Sequence, residues 1–393
     1  MTRFKKTPIG EIPEDWEVVE LGDLLDLKNG KRPIFSEKGS IPVYGANGIM
    51  GYTDTPLVKK GKVLIIGRVG ASGEVHLAEG PVWISDNAMY SSKIESKLVD
   101  IEYLGALLKY INLQKLATKN VHPLITKKIL MPFKIPLPPL PEQRKIAEIL
   151  RTVDEAIEKT DEAIERTERL KKGLMQRLLT RGIKHERFKK TELGEIPEEW
   201  QVVRLEEVAE RRNETVKPDS IEEVPFVGLE HIEPGRIKLS QWGSSRNVKS
   251  LKSKFHCGDI LYGKLRPYLD KAVIAEFNGI CSTDIIVIRT KSSKTIPEYL
   301  IWIIHSKRFI EYAKKTMKGV NHPRTSWNSI KQFQLPLPPL EEQKQIAEIL
   351  STVDKKLELL RQRREKLERV KRGLMKDLLT GRRRVKHYGD QKI

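Results

Sequence analysis

Asp86, Glu95 and Lys97 stand as an acidic residue followed by an ExK, an order that could hold a magnesium ion beside a scissile phosphate. Chance supplies this arrangement readily in a chain so rich in Glu and Lys. The matched place in the second half, Asp284, has no ExK after it, and a turn-capping aspartate accounts for both positions. Other chemistries lack their residues. No GxGxxG follows a strand pattern, no phosphate-binding GxxxxGK loop is present, and no Asn or Asp precedes Pro-Pro as amino-group methylation of bases would need. The histidines are scattered, so no Ser-His-Asp or Cys-His set can be assembled. Cys257 and Cys281 show neither CxxC nor Cys/His ligand spacing, which indicates no zinc site and no disulfide framework. No catalytic residue, metal or cofactor site is expected.

What remains is suited to recognition. The 393 residues carry a net charge of +19, and no run of 18 apolar residues exists that could make a membrane the partner. Nucleic acid is the favoured partner, and without a signal peptide the expected location is the cytoplasm. Arg32, Arg68, Arg246 and Arg266 can neutralise phosphates or bond guanine edges bidentately, and Lys28, Lys31, Lys264 and Arg324 add charge beside them. Asn47 and Asn321 suit adenine edges, Tyr44 and Tyr268 can lie against a sugar or base, and Ser72 offers a hydroxyl. A solvated surface charge is the ordinary role of any one Arg or Lys. The Gly-flanked loops Asn29–Arg32, Tyr44–Gly48, Gly67–Gly73 and Gly263–Tyr268 stand out because several such residues cluster there.

The elements that must position these loops are announced by repetition. LPPLPEQRKIAEIL at 137 returns as LPPLEEQKQIAEIL at 337, and FKKTPIGEIPEDWEVVEL at 4 returns as FKKTELGEIPEEWQVVRL at 188. A Pro-rich approach cannot continue a helix backwards, and Glu142 and Glu342 place negative charge on the first turn, so long helices are predicted to start near 141 and 341. Apolar residues then recur mostly three or four apart: Ile146, Leu150, Val153, Ile157, Ile164, Leu170, Leu174 and Leu178 in the first copy. The second copy has Ile346, Leu350, Val353, Leu357, Leu360, Leu367, Val370, Leu374 and Leu378. Two matched stripes of this length predict an intramolecular antiparallel coiled coil with a pseudo-twofold axis. The tail LLTGRRRVKHYGDQKI parallels the LLTRGIKHERFKK that joins the halves, so the layout is cyclic and cut open once.

Between these repeats lie two variable regions, roughly 25–120 and 206–320, rich in Val, Ile, Gly and Pro with frequent turn signals. Each reads as mostly strand, with buried strands at Val63–Ile66 and Ile285–Ile288, and with one helix at Glu102–Lys115 or Glu298–Lys315. Residues common to both halves, such as Trp16 with Trp200 and His122 with His322, are assigned to the shared frame. Residues that differ are free to read different things.

These motifs, in a fixed order and repeated, resemble the specificity subunits of type I restriction-modification systems over essentially the whole chain. IPVYGANGIMGY, IIGRVGASG and WISDNAMY look like parts of one target recognition domain, and VPFVGLEHIEPG with GDILYGKLRPYLDKAVIAEFNGICSTD like parts of another. The resemblance implies an α+β fold with two globular target recognition domains, at 1–140 and 186–340. Two long antiparallel coiled-coil helices, 141–185 and 341–393 with a basic tail, would separate them. It implies a noncatalytic subunit: each domain reads one half of a bipartite double-stranded DNA target and the paired helices set the gap. Two methyltransferase subunits dock, and motor-nuclease subunits join for restriction. S-adenosylmethionine, ATP and magnesium belong on those partners. Two rival readings stand beside it: a self-sufficient magnesium-dependent nuclease using Asp86, Glu95 and Lys97, and a structural adaptor between protein subunits.

Overall fold

A computed structural model describes residues 3–118 and 123–385 and divides the chain into two units, Met1–Glu162 with Gln362–Ile393, and Ala163–Arg361. The long helices, Leu140–Arg181 and Leu340–Leu378, each pass from one unit into the other. Among the described residues no helix is long and apolar enough to cross a membrane.

In the first unit, the hairpin Phe4–Thr7 with Gly10–Pro13 leads to the strand Glu17–Glu20, which pairs antiparallel with Lys134–Leu137. The variable region therefore leaves and returns at one place. Within it an antiparallel four-stranded sheet runs in the order Leu25–Asn29, Ala88–Ile94, Lys62–Gly67, Val75–Glu79, beside a three-stranded sheet of Gly48–Thr53, Ile41–Gly45 and Trp83–Ile84. Val63–Ile66 is apolar throughout because both faces of its strand are covered. Leu64 and Ile66 enter the core with Tyr103, Leu104 and Leu108 of the helix Ile101–Ile111, while Val63 and Ile65 pack with Val82 and Ile84. The larger core also takes Ile146, Leu150, Leu378 and Leu379 from the long helices, so the helix seam and the domain core are one apolar body.

The second unit repeats the frame. Phe188–Thr191 pairs with Gly194–Pro197, and Gln201–Arg204 with Gln334–Leu337. Its four-stranded sheet runs Ala209–Arg211, Ile285–Thr290, Ile260–Gly263, Ala272–Ile274, and again one central strand feeds two cores: Ile286 and Ile288 enter one, Ile285 and Val287 the other. The second sheet here has five strands rather than three. The single helix expected over Glu298–Lys315 is two, Pro297–Ile304 and Lys307–Lys315. Ser306 causes the restart: its hydroxyl accepts from the Phe309 N–H and caps a new first turn.

Two corrections concern the helix seam. Leu170 and Val370 are 52% and 44% exposed and lie outside it. The register positions beside them belong to Thr160, Thr167 and Lys171 on the first helix and to Arg364 and Lys371 on the second, which restores an unbroken three-four spacing, the two cations of the second helix standing partly exposed in ion pairs rather than in a core. Thr160 and Thr167 are buried at no polar cost, since each hydroxyl donates to the carbonyl four residues back, Ala156 and Ala163, at 2.7 Å. Pairing is antiparallel within each unit: Asp154 with Lys371 and Asp161 with Arg364 in the first, Glu168 with Arg361 and Lys171 with Asp354 in the second.

The repeated Glu-Gln at the start of each helix does more than complement a dipole. Gln143 and Gln343 are fully buried. Gln143 accepts from Asp100 N and donates to Leu98 and Pro138 carbonyls, and Gln343 accepts from Thr295 and Ile296 and donates to Lys294 and Pro338 carbonyls. Each glutamine thus welds the end of a variable region to a helix start. Glu142 accepts from the Trp16 indole at 3.1 Å and from Arg384 at 2.8 Å, while Glu342 accepts from Trp200 at 2.8 Å, Ile183 N at 2.9 Å and His185 at 2.8 Å. The end of the chain therefore does in the first unit what the joining segment does in the second. Gly381 and Gly182 end these helices with φ of +70° and +61°, and a Cβ at either would meet Pro13 or Trp200 at 2.5 or 2.6 Å.

Candidate nucleic-acid interface

Sheet order brings the recognition loops of the first unit together. Ala88–Ile94 lies between Leu25–Asn29 and Lys62–Gly67, so the loops leaving those strands emerge side by side. Gly30 N donates to Ala88 O at 2.9 Å, Lys31 N to Ile84 O at 2.9 Å and Arg68 N to Asn87 O at 2.8 Å. Ser85 N donates to Tyr44 O at 2.8 Å, and Ile125 N to Arg68 O at 3.0 Å. Asn47 is exposed at the two-residue turn of the Ile41–Gly45 and Gly48–Thr53 hairpin, where Gly48 supplies φ +100°. Ser72 is buried, its hydroxyl turned to the carbonyls of Arg68 and Pro123, which closes the Gly67–Gly73 loop rather than presenting a contact. Tyr44 is half-buried against His76.

Lys28, Lys31, Arg32 and Arg68 make no ion pair among the described residues, although carboxylates elsewhere in the unit are engaged, Asp26 with Lys127 and Glu102 with Arg151. Positive charge in this loop cluster is therefore not neutralised by an ion pair among the described residues.

In the second unit the corresponding strand ends carry Lys264 and Arg266. Lys264 N donates to Asp284 O at 2.9 Å and Thr325 N to Lys264 O at 3.0 Å, matching the Arg68–Asn87 and Ile125–Arg68 contacts, and Arg266 N adds a bond to Pro323 O at 2.8 Å. Asp284 accepts from Arg324 at 3.1 Å and faces Lys264 at 3.9 Å, so two candidate cations share one carboxylate, and Arg266 makes no ion pair among the described residues. Arg266 and Asp270, at φ +50° and +52°, bracket a tight turn that holds Tyr268 46% exposed. Two non-glycine residues in the left-handed region are costly and persist only where surrounding bonds over-determine them. Lys318 and Arg324 exchange backbone bonds at 2.9 Å and present Asn321 at the tip of a loop. The matched tip of the first unit, with His122, lies outside the described residues. Arg246 stands in the 3-10 turn Ser245–Asn247 that follows a strand of the other sheet, paired with Glu223 at 2.9 Å, and none of these backbone bonds joins it to the cluster.

Sequence reasoning missed a polar cleft of about 460 Å³ lined by Glu210, Arg211, Asn213, Ser326, Trp327 and Asn328. The constant offset of 200 sets Ser326–Asn328 opposite Thr126–Lys128, a signal the repeat already contained.

The nuclease rival finds no geometry. Asp86 precedes and Glu95 follows the seven-residue strand Ala88–Ile94, which separates them by roughly 23 Å. Glu95 pairs with Lys93, and among the described residues no group of three or more His, Cys, Asp or Glu gathers as a metal set. Burial, with the Asp259 charge second, pushes the Cys281 thiol up to about 12, far from a reactive thiolate.

Compared with known proteins, residues 13–166 and 197–369 match the family described as type I restriction modification DNA specificity domain. The MjaVIII specificity subunit of Methanocaldococcus jannaschii, a type I restriction enzyme component, is 31% identical over 98% of this chain and 96% of its own. The putative MjaX specificity subunit of the same organism is 32% identical over 98% and 97%. The EcoDI specificity subunit of Escherichia coli is 26% identical over 86% and 81%. In fold, the chain is similar to the crystal structure of a type I restriction-modification S subunit from M. genitalium, with a TM-score of 0.68 and 17% identity over 92% of this chain and 96% of that one.

Proposed function

The chain belongs to the type I restriction-modification DNA specificity family, and we propose that it is the subunit that reads a bipartite double-stranded DNA target for such an enzyme. Each variable region contacts one half of the target through its loop cluster, Lys28, Lys31, Arg32, Asn47 and Arg68 in one unit and Lys264, Arg266, Tyr268, Asn321 and Arg324 in the other. The observation that carries this reading is the division of labour. Both units hold their variable region by the same welds, a Glu-Gln and a Trp, while side chains able to read a base differ on that frame, Arg68 of the first unit standing where the second has Lys264.

The chain's own residues supply binding and orientation. Methyl transfer and strand cleavage fall to partners: two methyltransferase subunits docked on the helices, using S-adenosylmethionine, and motor-nuclease subunits using ATP and magnesium. The paired helices set the number of unread base pairs between the halves.

The test is reconstitution. The purified chain with S-adenosylmethionine methylates no DNA, and methylation of adenines in both halves of one bipartite sequence begins when methyltransferase subunits are added. Methylation or magnesium-dependent cleavage by the chain alone overturns the noncatalytic assignment.

A further inference from the structure

Lys171 and Lys371 occupy the same place in the repeated helices, yet their surroundings differ. Lys371 bonds Asp154 at 2.6 Å, a pair with side chains 29% and 52% exposed, and makes no hydrogen bond to its variable region among the described residues. Lys171 bonds Asp354 at 2.6 Å with side chains only 16% and 13% exposed. Its ammonium also reaches the Gly235 carbonyl at 3.4 Å and lies 5.0 Å over the centroid of the Trp302 ring, which is fully buried. Three attractions converge on one partly desolvated charge.

These contacts continue into the recognition loop. Gly235 N donates to the Asp270 carbonyl at 2.8 Å, and the Asp270 carboxylate meets His305 Nδ1 at 2.7 Å, while His305 Nε2 faces the Ala272 carbonyl at 3.0 Å. Asp270 closes the turn that carries Arg266 and Tyr268. Arg236, next to Gly235, pairs with Glu358 of the second long helix and with Glu233. A run of bonds thus leads from both long helices, through Gly235–Arg236, to the loop presented to DNA.

Among the described residues the first unit shows no counterpart of this path. Tyr103 and Tyr299 mark equivalent helices, each hydroxyl donating to the carbonyl of Pro136 or Pro336. Counting from them, Ala106 stands for Trp302 and Lys109 for His305. Lys109 is held below its ordinary value first by burial and then by the charge of Lys371. At the place that Lys171 holds in the second unit, the first has Lys371 paired with Asp154 across the helices, and its helix-to-variable-region ion pair stands elsewhere, between Arg151 and Glu102 at 3.3 Å.

We propose that Lys171 is a positioning residue for the second half-site, fixing the angle at which the Arg266–Asp270 loop is presented. This rests on the reading that the helices set the gap. The test uses the full chain assembled with methyltransferase subunits on duplexes whose halves are separated by the native gap or by one base pair more or less. Lys171→Met lowers discrimination against the altered gaps by roughly tenfold, the scale of losing a desolvated cation-π contact and its ion pair. The half-site bases stay unchanged. Lys171→Arg, which keeps the charge, retains discrimination, and Lys371→Met leaves it within about twofold of the parent. If Lys171→Met does not fold, Lys171→Gln is read in its place. Undiminished discrimination, altered half-site bases, or equal relaxation by Lys371→Met overturns the proposal. Seven residues inserted after Glu162 and seven after Arg361 separate the two levels: if they move the preferred gap while Lys171→Met does not broaden it, only the positioning role falls.

Discussion

Removing the Arg384 side chain tests the closure of the first unit. Its guanidinium donates twice to Glu142, at 2.8 Å each, and twice to Asp15, at 2.7 and 2.6 Å, and lies 5.9 Å over the Trp16 ring centroid. The Glu142 side chain is 7% exposed, so Arg384→Ala leaves a buried carboxylate with only the Trp16 indole and a long bond from Val385 N. Breaking a buried pair costs about 3–5 kcal/mol, but Arg384 is itself 24% exposed and Asp15 52%, which brings the expected loss to about 2–3 kcal/mol. At a urea slope of about 2.5 kcal/mol per molar, the unfolding midpoint of this unit falls by about 1 M. Arg384→Lys, which keeps charge but not the fork, falls between. Acid supplies a sign. The Arg384 hydrogen bond, the largest cause, holds Asp15 below its ordinary 3.8. A depressed carboxyl contributes stability above its unfolded value and loses it as pH falls through the folded one, so the gap between parent and Arg384→Ala narrows below about pH 4. A midpoint within about 0.2 M of the parent at neutral pH refutes the closure.

Three further outcomes are expected. Inserting a heptad after Glu162 and after Arg361 leaves the ion pairs of each unit in place and adds about 10 Å of helix, so the preferred gap among graded duplexes lengthens by about three base pairs; a preference still at the parental gap refutes the ruler. Joining the termini and reopening the chain after Glu186 keeps His185 on Glu342 and preserves folding and DNA binding; a folded permutant that has lost binding shows the junctions are not equivalent. Arg68→Ala weakens binding to DNA and lowers the slope of log affinity against log salt by about 1, measured by salt titration of the complex; unchanged affinity and slope remove Arg68 from the interface.

The frame was legible because it is written twice. Repeats at an offset of 200 located the long helices and repeats at an offset of 184 the Trp anchors, and apolar runs located the doubly covered strands. The rest failed for physical reasons. Thr160 and Thr167 escaped the seam because threonine counts as polar, although its hydroxyl can be satisfied within its own helix. Glu142 and Glu342 were read for their local effect on a helix terminus, while their partners, Trp16 with Arg384 and Trp200 with His185, come from distant segments that only the fold brings near. The helix restart at Ser306 is a capping signal inside an otherwise helical pattern, and periodicity outweighed it. Convergence of the recognition loops depends on Ala88–Ile94 lying between two strands that precede it in the chain, a matter of sheet order that residue types do not encode.

The central claim is that each variable region reads its own half of the target on a shared frame. The direct measurement replaces residues 25–120 with the equivalent region of the MjaVIII specificity subunit and determines the methylated motif of cells carrying the hybrid with its methyltransferase subunits. The account predicts one new half-site, with the other half and the gap unchanged. A motif in which both halves change together, or neither does, would contradict it.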